Sequence, residues 1–185
     1  TGACTKGQRE KMAFNCYLEV EASATGAIAG NVSTPTMAGM DVSAWVECSE
    51  FTTDVSRPGQ GTQGDTQGTF QCGDLRFVTK WGPDSPMFLQ VITNNEALTG
   101  TFHFFYRQQS QAAANEAGVL EEQMTAAFIG GRLTGVNLVS PNTLHSETAN
   151  LAPWFEGTIS YNQLTWTHVP DGKEVLTLDY VAGDE

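Results

Sequence analysis

Basic side chains are scarce in this chain. Nine Lys and Arg stand against 21 Asp and Glu, giving a formal net charge of −12 over 185 residues. Nucleic-acid binding needs Lys and Arg clustered against phosphate, so the composition argues against that partner. Anionic membrane surfaces are disfavoured for the same reason. Long apolar runs are missing too, so no membrane insertion is expected. Residues 1–11 lack the apolar stretch of a signal peptide. The three histidines, His103, His145 and His168, lie in separate segments without HxxxH or HExxH spacing, so no metal site is expected.

Catalytic signatures are equally thin. No GxSxG is present, and Ser160 falls within a strand pattern rather than at a sharp strand-to-helix turn. The acids Glu121, Glu122, Glu147 and Glu156 could supply a carboxylate pair, but solvated surface acids are expected at this net charge. The Gly-rich run at residues 57–68 lacks the Gly-Lys-Ser/Thr ending of a phosphate loop and opens no helix. No catalytic residue and no cofactor are therefore expected. The four cysteines, Cys4, Cys16, Cys48 and Cys72, are even in number, which leaves a disulfide framework open. Their spacing is wide, and a chain of this length can bury a core without staples. Cys16 and Cys48 fall in strand patterns, where a reduced thiol acts as a small hydrophobe.

What is present is alternation. Phe14, Cys16, Leu18 and Val20 alternate with Asn15, Tyr17, Glu19 and Glu21, the period of a half-buried strand. In residues 41–55, Val42, Ala44, Val46 and Cys48 oppose Trp45, Glu47, Ser49 and Phe51, so both faces carry apolar groups. Residues 101–107 set Phe102, Phe104 and Tyr106 against Thr101, His103 and Phe105. Residues 121–139 read as one long strand bent at Gly130-Gly131. Residues 154–169 read as a strand with a bulge near Asn162-Gln163. Pro170-Asp171-Gly172 is a hairpin turn, followed by a last strand at residues 173–181.

One helix stands among the strands. Asp84 or Ser85 can cap its N-terminus, Pro86 suits its first turn, and Asn94-Asn95 and then Gly100 stop it. Residues 22–39, rich in Ala, Gly, Ser and Thr, have little to bury and read as a long loop or insertion. Its Asn31-Val32-Ser33 triplet matches a glycosylation sequon, a pattern common by chance. Trp45, Trp81, Trp154 and Trp166 could form a ligand platform, as in a secreted carbohydrate-binding β-sandwich, but in a strand-rich chain they more often serve core or subunit interface. The expected fold is mainly β, an antiparallel barrel or sandwich with one helix on its side. Residues 1–11 are expected to be an extension or tag remnant, and 12–185 to form one domain.

Four segments, in order, resemble the haemolysin-coregulated protein (Hcp) family of type VI secretion systems. They are Met12-Ala13-Phe14-Asn15-Cys16-Tyr17-Leu18-Glu19-Val20, Trp45-Val46-Glu47-Cys48-Ser49-Glu50-Phe51, the pair Asp74-Leu75-Arg76-Phe77-Val78-Thr79-Lys80 and Asp84-Ser85-Pro86-Met87-Phe88-Leu89, and residues 155–166. The resemblance implies two antiparallel sheets forming a β-barrel flanked by one short α-helix, as in phage tail tubes. It implies a protomer that catalyses nothing and uses no cofactor. The copies would form homohexameric rings stacked into a tube inside a contractile sheath, tipped by a spike and ejected with effector cargo. Export would proceed from the cytoplasm without a signal peptide. A tube from a related phage-tail-like particle fits the same pattern. The family's ring-stacking loop matches residues 57–68, which makes Arg57, Gln60, Gln63, Asp65 and Gln67 stacking candidates. The helix residues Phe88, Gln90 and Val91 are the candidates for a subunit interface. The insertion at 22–39 is long for the family, and the last strand is not clearly matched.

Overall fold

A computed structural model describes residues 15–56, 71–107, 120–144, 147–148 and 150–179. In chain order the elements are β1 (Asn15–Ala22), β2 (Gly26–Ala27), β3 (Thr36–Met37), β4 (Met40–Asp41), β5 (Val46–Thr52), β6 (Val55–Ser56), β7 (Gln71–Cys72) and β8 (Leu75–Lys80). The helix α1 (Asp84–Asn94) follows, then β9 (Leu98–Arg107), β10 (Leu120–Val139), β11 (Trp154–Ser160), β12 (Gln163–His168) and β13 (Lys173–Asp179).

The main sheet closes on itself. Neighbouring strands run β11, β8, β5, β1, β9, β10, and β10 pairs again with β11, every pair antiparallel. Closure removes the free edges that an open sheet would present. The long strand β10 makes it possible. Its first part, Met124 to Ile129, pairs with β12, and its last part, Arg132 to Val139, pairs with β11. The bend between the two parts falls where the register with β9 slips, between Phe128 and Gly131. Gly130 adopts φ +65° there, and a Cβ on it would lie 2.4 Å from the Asn162 amide, so the bend requires glycine. The strand expected over residues 154–169 is two strands instead. The slip near Asn162-Gln163 is a change of partner: β11 closes the barrel, while β12 pairs with the other part of β10 and carries β13 outward.

Aromatic rings fill the barrel. Phe77, Phe88, Phe102, Phe128 and Phe155 are fully buried and touch in sequence, with Phe77 to Phe88 at 5.4 Å, Phe88 to Phe155 at 5.2 Å and Phe102 to Phe128 at 6.0 Å between centroids. Such pairs add stability beyond the area they bury. Phe51 joins them against Phe102 and Phe104, although alternation places it opposite Cys48. The cause is a bulge: the register slips between Cys48 and Glu50, and the extra residue Ser49 turns Phe51 inward. Gly157 gives Phe77 its space, since a Cβ there would lie 2.4 Å from that ring.

The helix obeys its local grammar with one change. Pro83 occupies the N-cap position, without a side-chain cap, and Asp84 is the first helical residue. Ser85 bonds backwards instead, its hydroxyl accepting from the Gly82 N–H at 3.3 Å. Asn95 ends the helix in the left-handed conformation, and Gly100 lies within β9. Phe88 and Val91, one turn apart, are 0 % and 1 % exposed and pack into the barrel core. Both side chains therefore fill the protomer's own core. Leu89 and Gln90 are the ones that point outward.

The insertion at 22–39 has more to bury than its composition suggests. Its Met37, together with Val42 and Trp45 just beyond it, closes over Tyr17 and Phe105 on the outer face of the barrel, forming a second core. A carboxylate holds the insertion's first turn. Glu96 accepts from Ala24 N, Thr25 N, the Thr25 hydroxyl and the Asn94 amide at 2.8–3.1 Å. Hydrogen bonds from Asn94 and the Thr25 backbone hold its carboxyl at about 2. Its stabilising contribution is present above the ordinary value of 4.5 and is lost as pH falls towards 2. Burial pushes the Asp84 carboxyl the other way, so its contribution is full below the ordinary value of 3.8 and is lost as pH rises through the raised one.

Two outcomes follow for urea midpoints measured over a pH series. Glu96→Gln should be less stable than the parent at neutral pH, with the gap shrinking from pH 4.5 towards 2; Asp84→Asn should flatten the loss of stability between acid and neutral pH. Gly157→Ala should cost about 1–3 kcal/mol through overpacking at Phe77, read by the same assay.

Candidate functional site

Among the described residues no group of three or more His, Cys, Asp or Glu is placed to hold a metal ion. The densest polar cluster surrounds His103 on β9. Its Nδ1 lies 2.5 Å from Glu122 Oε1 on β10, and its Nε2 lies 3.5 Å from Glu19 Oε2 on β1. The indole of Trp45 stacks on the imidazole, centroids 4.2 Å apart and planes 15° apart. A carboxylate can only accept, so Nδ1 donates to Glu122. The two carboxylates sit at opposite nitrogens of one ring, which leaves no common point for a cation. Among the described residues no hydroxyl or thiol within hydrogen-bond reach of the ring completes a nucleophile and base pair. The cluster is a strut: it fixes Trp45, and with it the insertion, to three adjacent barrel strands.

The tryptophans do not converge on one platform. Trp45 is buried in the second core, and Trp166 stacks on Phe104 at the edge of the first. Trp81 and Trp154 are neighbours on the surface, where the Trp81 indole donates to the Trp154 carbonyl at 2.8 Å. Trp154 Nε1 donates to Glu156 Oε1 at 2.7 Å, and Asn137 donates to the other oxygen at 3.0 Å. The Trp154 bond, then the Asn137 bond, lower the Glu156 carboxyl below the usual range. Glu156 therefore remains an anion with its donors fixed, which does not suit a general acid.

What the described residues do offer is apolar surface at both ends of one barrel strand. Just past the Lys80 end of β8 Trp81 is 44 % exposed, and Leu138 on β10 and Leu151 ahead of β11 are exposed towards the same end of the barrel wall. At the Leu75 end, β6 and β7 pair as a short stem, Val55 with Cys72 and Ser56 with Gln71, and Val55 is exposed. Six residues of strand separate the two ends, about 20 Å. In sequence the stem brackets residues 57–70, which lie outside the described residues. Arg57, Gln60, Gln63, Asp65 and Gln67 lie outside the described residues, as do Cys4 and His145. Exposed apolar groups on opposite ends fit contact with other chains rather than a pocket for a small molecule. Spacing could not have marked Trp81, Leu138 and Leu151 as exposed towards one end of the barrel wall, because they come from three separate segments. Trp45→Ala should cost about 3–5 kcal/mol in urea unfolding, whereas Trp81→Ala should cost no more than about 1 kcal/mol.

No family model matches the chain, and no curated protein sequence matches it. Solved structures do. A crystal structure of an Hcp protein shares 20 % identity at a TM-score of 0.74, covering 92 % of this chain and all of that one. The secreted protein Hcp3 from Pseudomonas aeruginosa shares 17 % at 0.66, covering 92 % of this chain and all of its own. A type VI secretion system effector from Yersinia pestis shares 13 % at 0.59, covering 89 % and 98 %. The closed barrel, the flanking helix and the strand order are thus those of the Hcp fold.

Proposed function

We propose that this chain is the structural subunit of the inner tube of a contractile injection machine of the type VI secretion kind. The observation that carries the reading is a closed, ring-filled barrel of the Hcp fold with exposed apolar groups at both ends of β8 and no assembled reactive centre among the described residues. A rigid barrel suits a part that transmits force. In this reading six copies close a homohexameric ring through a heterologous interface. Rings stack through Arg57, Gln60, Gln63, Asp65 and Gln67, carried on the β6–β7 stem. Leu89 and Gln90 supply the helix's outward contact, while Phe88 and Val91 set its angle from inside. Sheath, spike and effector cargo are the remaining partners. In the same reading the protein is made in the cytoplasm and leaves by ejection.

Charge then controls growth. Six subunits of −12 put about −72 on one ring, and screening weakens their repulsion. Pelleting over a salt series should show more tubes at higher ionic strength; more tubes at low salt would count against the reading. Native mass spectrometry with negative-stain imaging should show hexameric rings, and a clean monomer at high concentration would overturn the proposal. Leu89→Arg combined with Gln90→Arg should leave the far-ultraviolet spectrum unchanged while reducing hexamers at least tenfold. Phe88→Arg should lose the fold itself, because it places an unpaired charge among the core rings.

A further inference from the structure

The cysteines that lie far apart in sequence meet in the barrel wall. Cys16 on β1 and Cys48 on β5 are directly opposed in the antiparallel register, and both thiols are free. Directly opposed residues on antiparallel strands have Cα atoms about 4.5 or 5.5 Å apart, and both separations fall within the range that a disulfide bridges. Their side chains share one face, since both belong to the same core cluster. They are 1 % and 6 % exposed. We infer that Cys16 and Cys48 are a cross-strand redox pair, a modification site that closes to a disulfide when the folded protein meets a small peroxide.

The chemistry balances with hydrogen peroxide as oxidant. One cysteine, as thiolate, attacks the O–O bond and becomes a sulfenic acid, while the leaving hydroxide takes a proton and departs as water. The second thiol attacks the sulfenic sulfur, the S–S bond forms, and a second water leaves. Two sulfurs are oxidised and the two peroxide oxygens are reduced. The second step is intramolecular between groups already adjacent, which favours it over capture by an outside thiol. Burial, together with the neighbouring Cys16 thiol, pushes the Cys48 thiol well up. Thiolate is therefore scarce at neutral pH, and the pair stays reduced until oxidant is present in excess. Cys72, on β7 and half-buried, lies outside this register.

The bond would do more than tie two strands. Residues 17–47 lie between the two cysteines, and they include the insertion, Trp45 and most of the second core. Closing that loop removes conformational freedom from the unfolded chain. The oxidised protein should hold its insertion to the barrel more firmly than the reduced one.

The experiment uses the full folded chain, treated with hydrogen peroxide at several pH values, alkylated, and mapped by non-reducing peptide mass spectrometry. Expected is a peptide pair joining Cys16 to Cys48 with a loss of two hydrogens, formed faster as pH rises. The thermal midpoint should rise by about 5 °C or more and return on adding a thiol reductant. Cys72→Ala should leave the link intact, and Cys16→Ala should abolish both the link and the shift. The inference is overturned if only Cys72 is oxidised while Cys16 and Cys48 remain alkylatable, or if the link appears only after unfolding. Because the readout is made on the parent protein, poor folding of a variant does not rescue the idea.

Discussion

Closure of the barrel rests on one strand holding two partners along the same edge. Up to Ile129, β10 pairs with β12; beyond the Gly130 bend it pairs with β11. Were it straight, one of these pairings would be lost and the sheet would stay open. The other edge of β10 pairs with β9 only as far as Gly131, opposite Leu98. Beyond that point the helix lies against β10, and Arg132 donates to the Asn95 carbonyl at the helix end. The helix therefore occupies the ground that β9 vacates, and it is anchored there by Phe88 between Phe77 and Phe155.

The second consequence of closure is that both faces of several strands become useful. Inward residues of β1 and β9 fill the barrel, while Tyr17 and Phe105 on their outer faces receive the insertion. A segment poor in large apolar residues is thereby ordered by borrowing its core from the barrel. The His103–Trp45 stack and the Glu96 hydrogen bonds hold it at two further places.

Much of this was legible in the chain. Alternation in β1 and β9, the turn at Gly172 and the bend at Gly130-Gly131 are local, because strand period and positive φ leave marks on adjacent residues. The helix was legible as an element. Its buried face was not, since Met87, Phe88, Leu89, Val91 and Ile92 are all apolar and only the barrel decides which of them turn inward.

By itself the sequence determined the acidity, the run of strands, the helix after Pro83 and the lack of any local catalytic or metal-binding spacing. Each of these is a property of composition or of residues within one turn or one strand. The tertiary structure decided what depends on distant partners. It divided residues 154–169 between two strands of one sheet, turned Phe51 inward through the Ser49 bulge, and placed Phe88 and Val91 in the core. It also brought Cys16 opposite Cys48. The physical reason is the same in each case: hydrogen-bond register between strands is set by packing across the barrel, and a one-residue slip exchanges inside for outside without altering the local pattern.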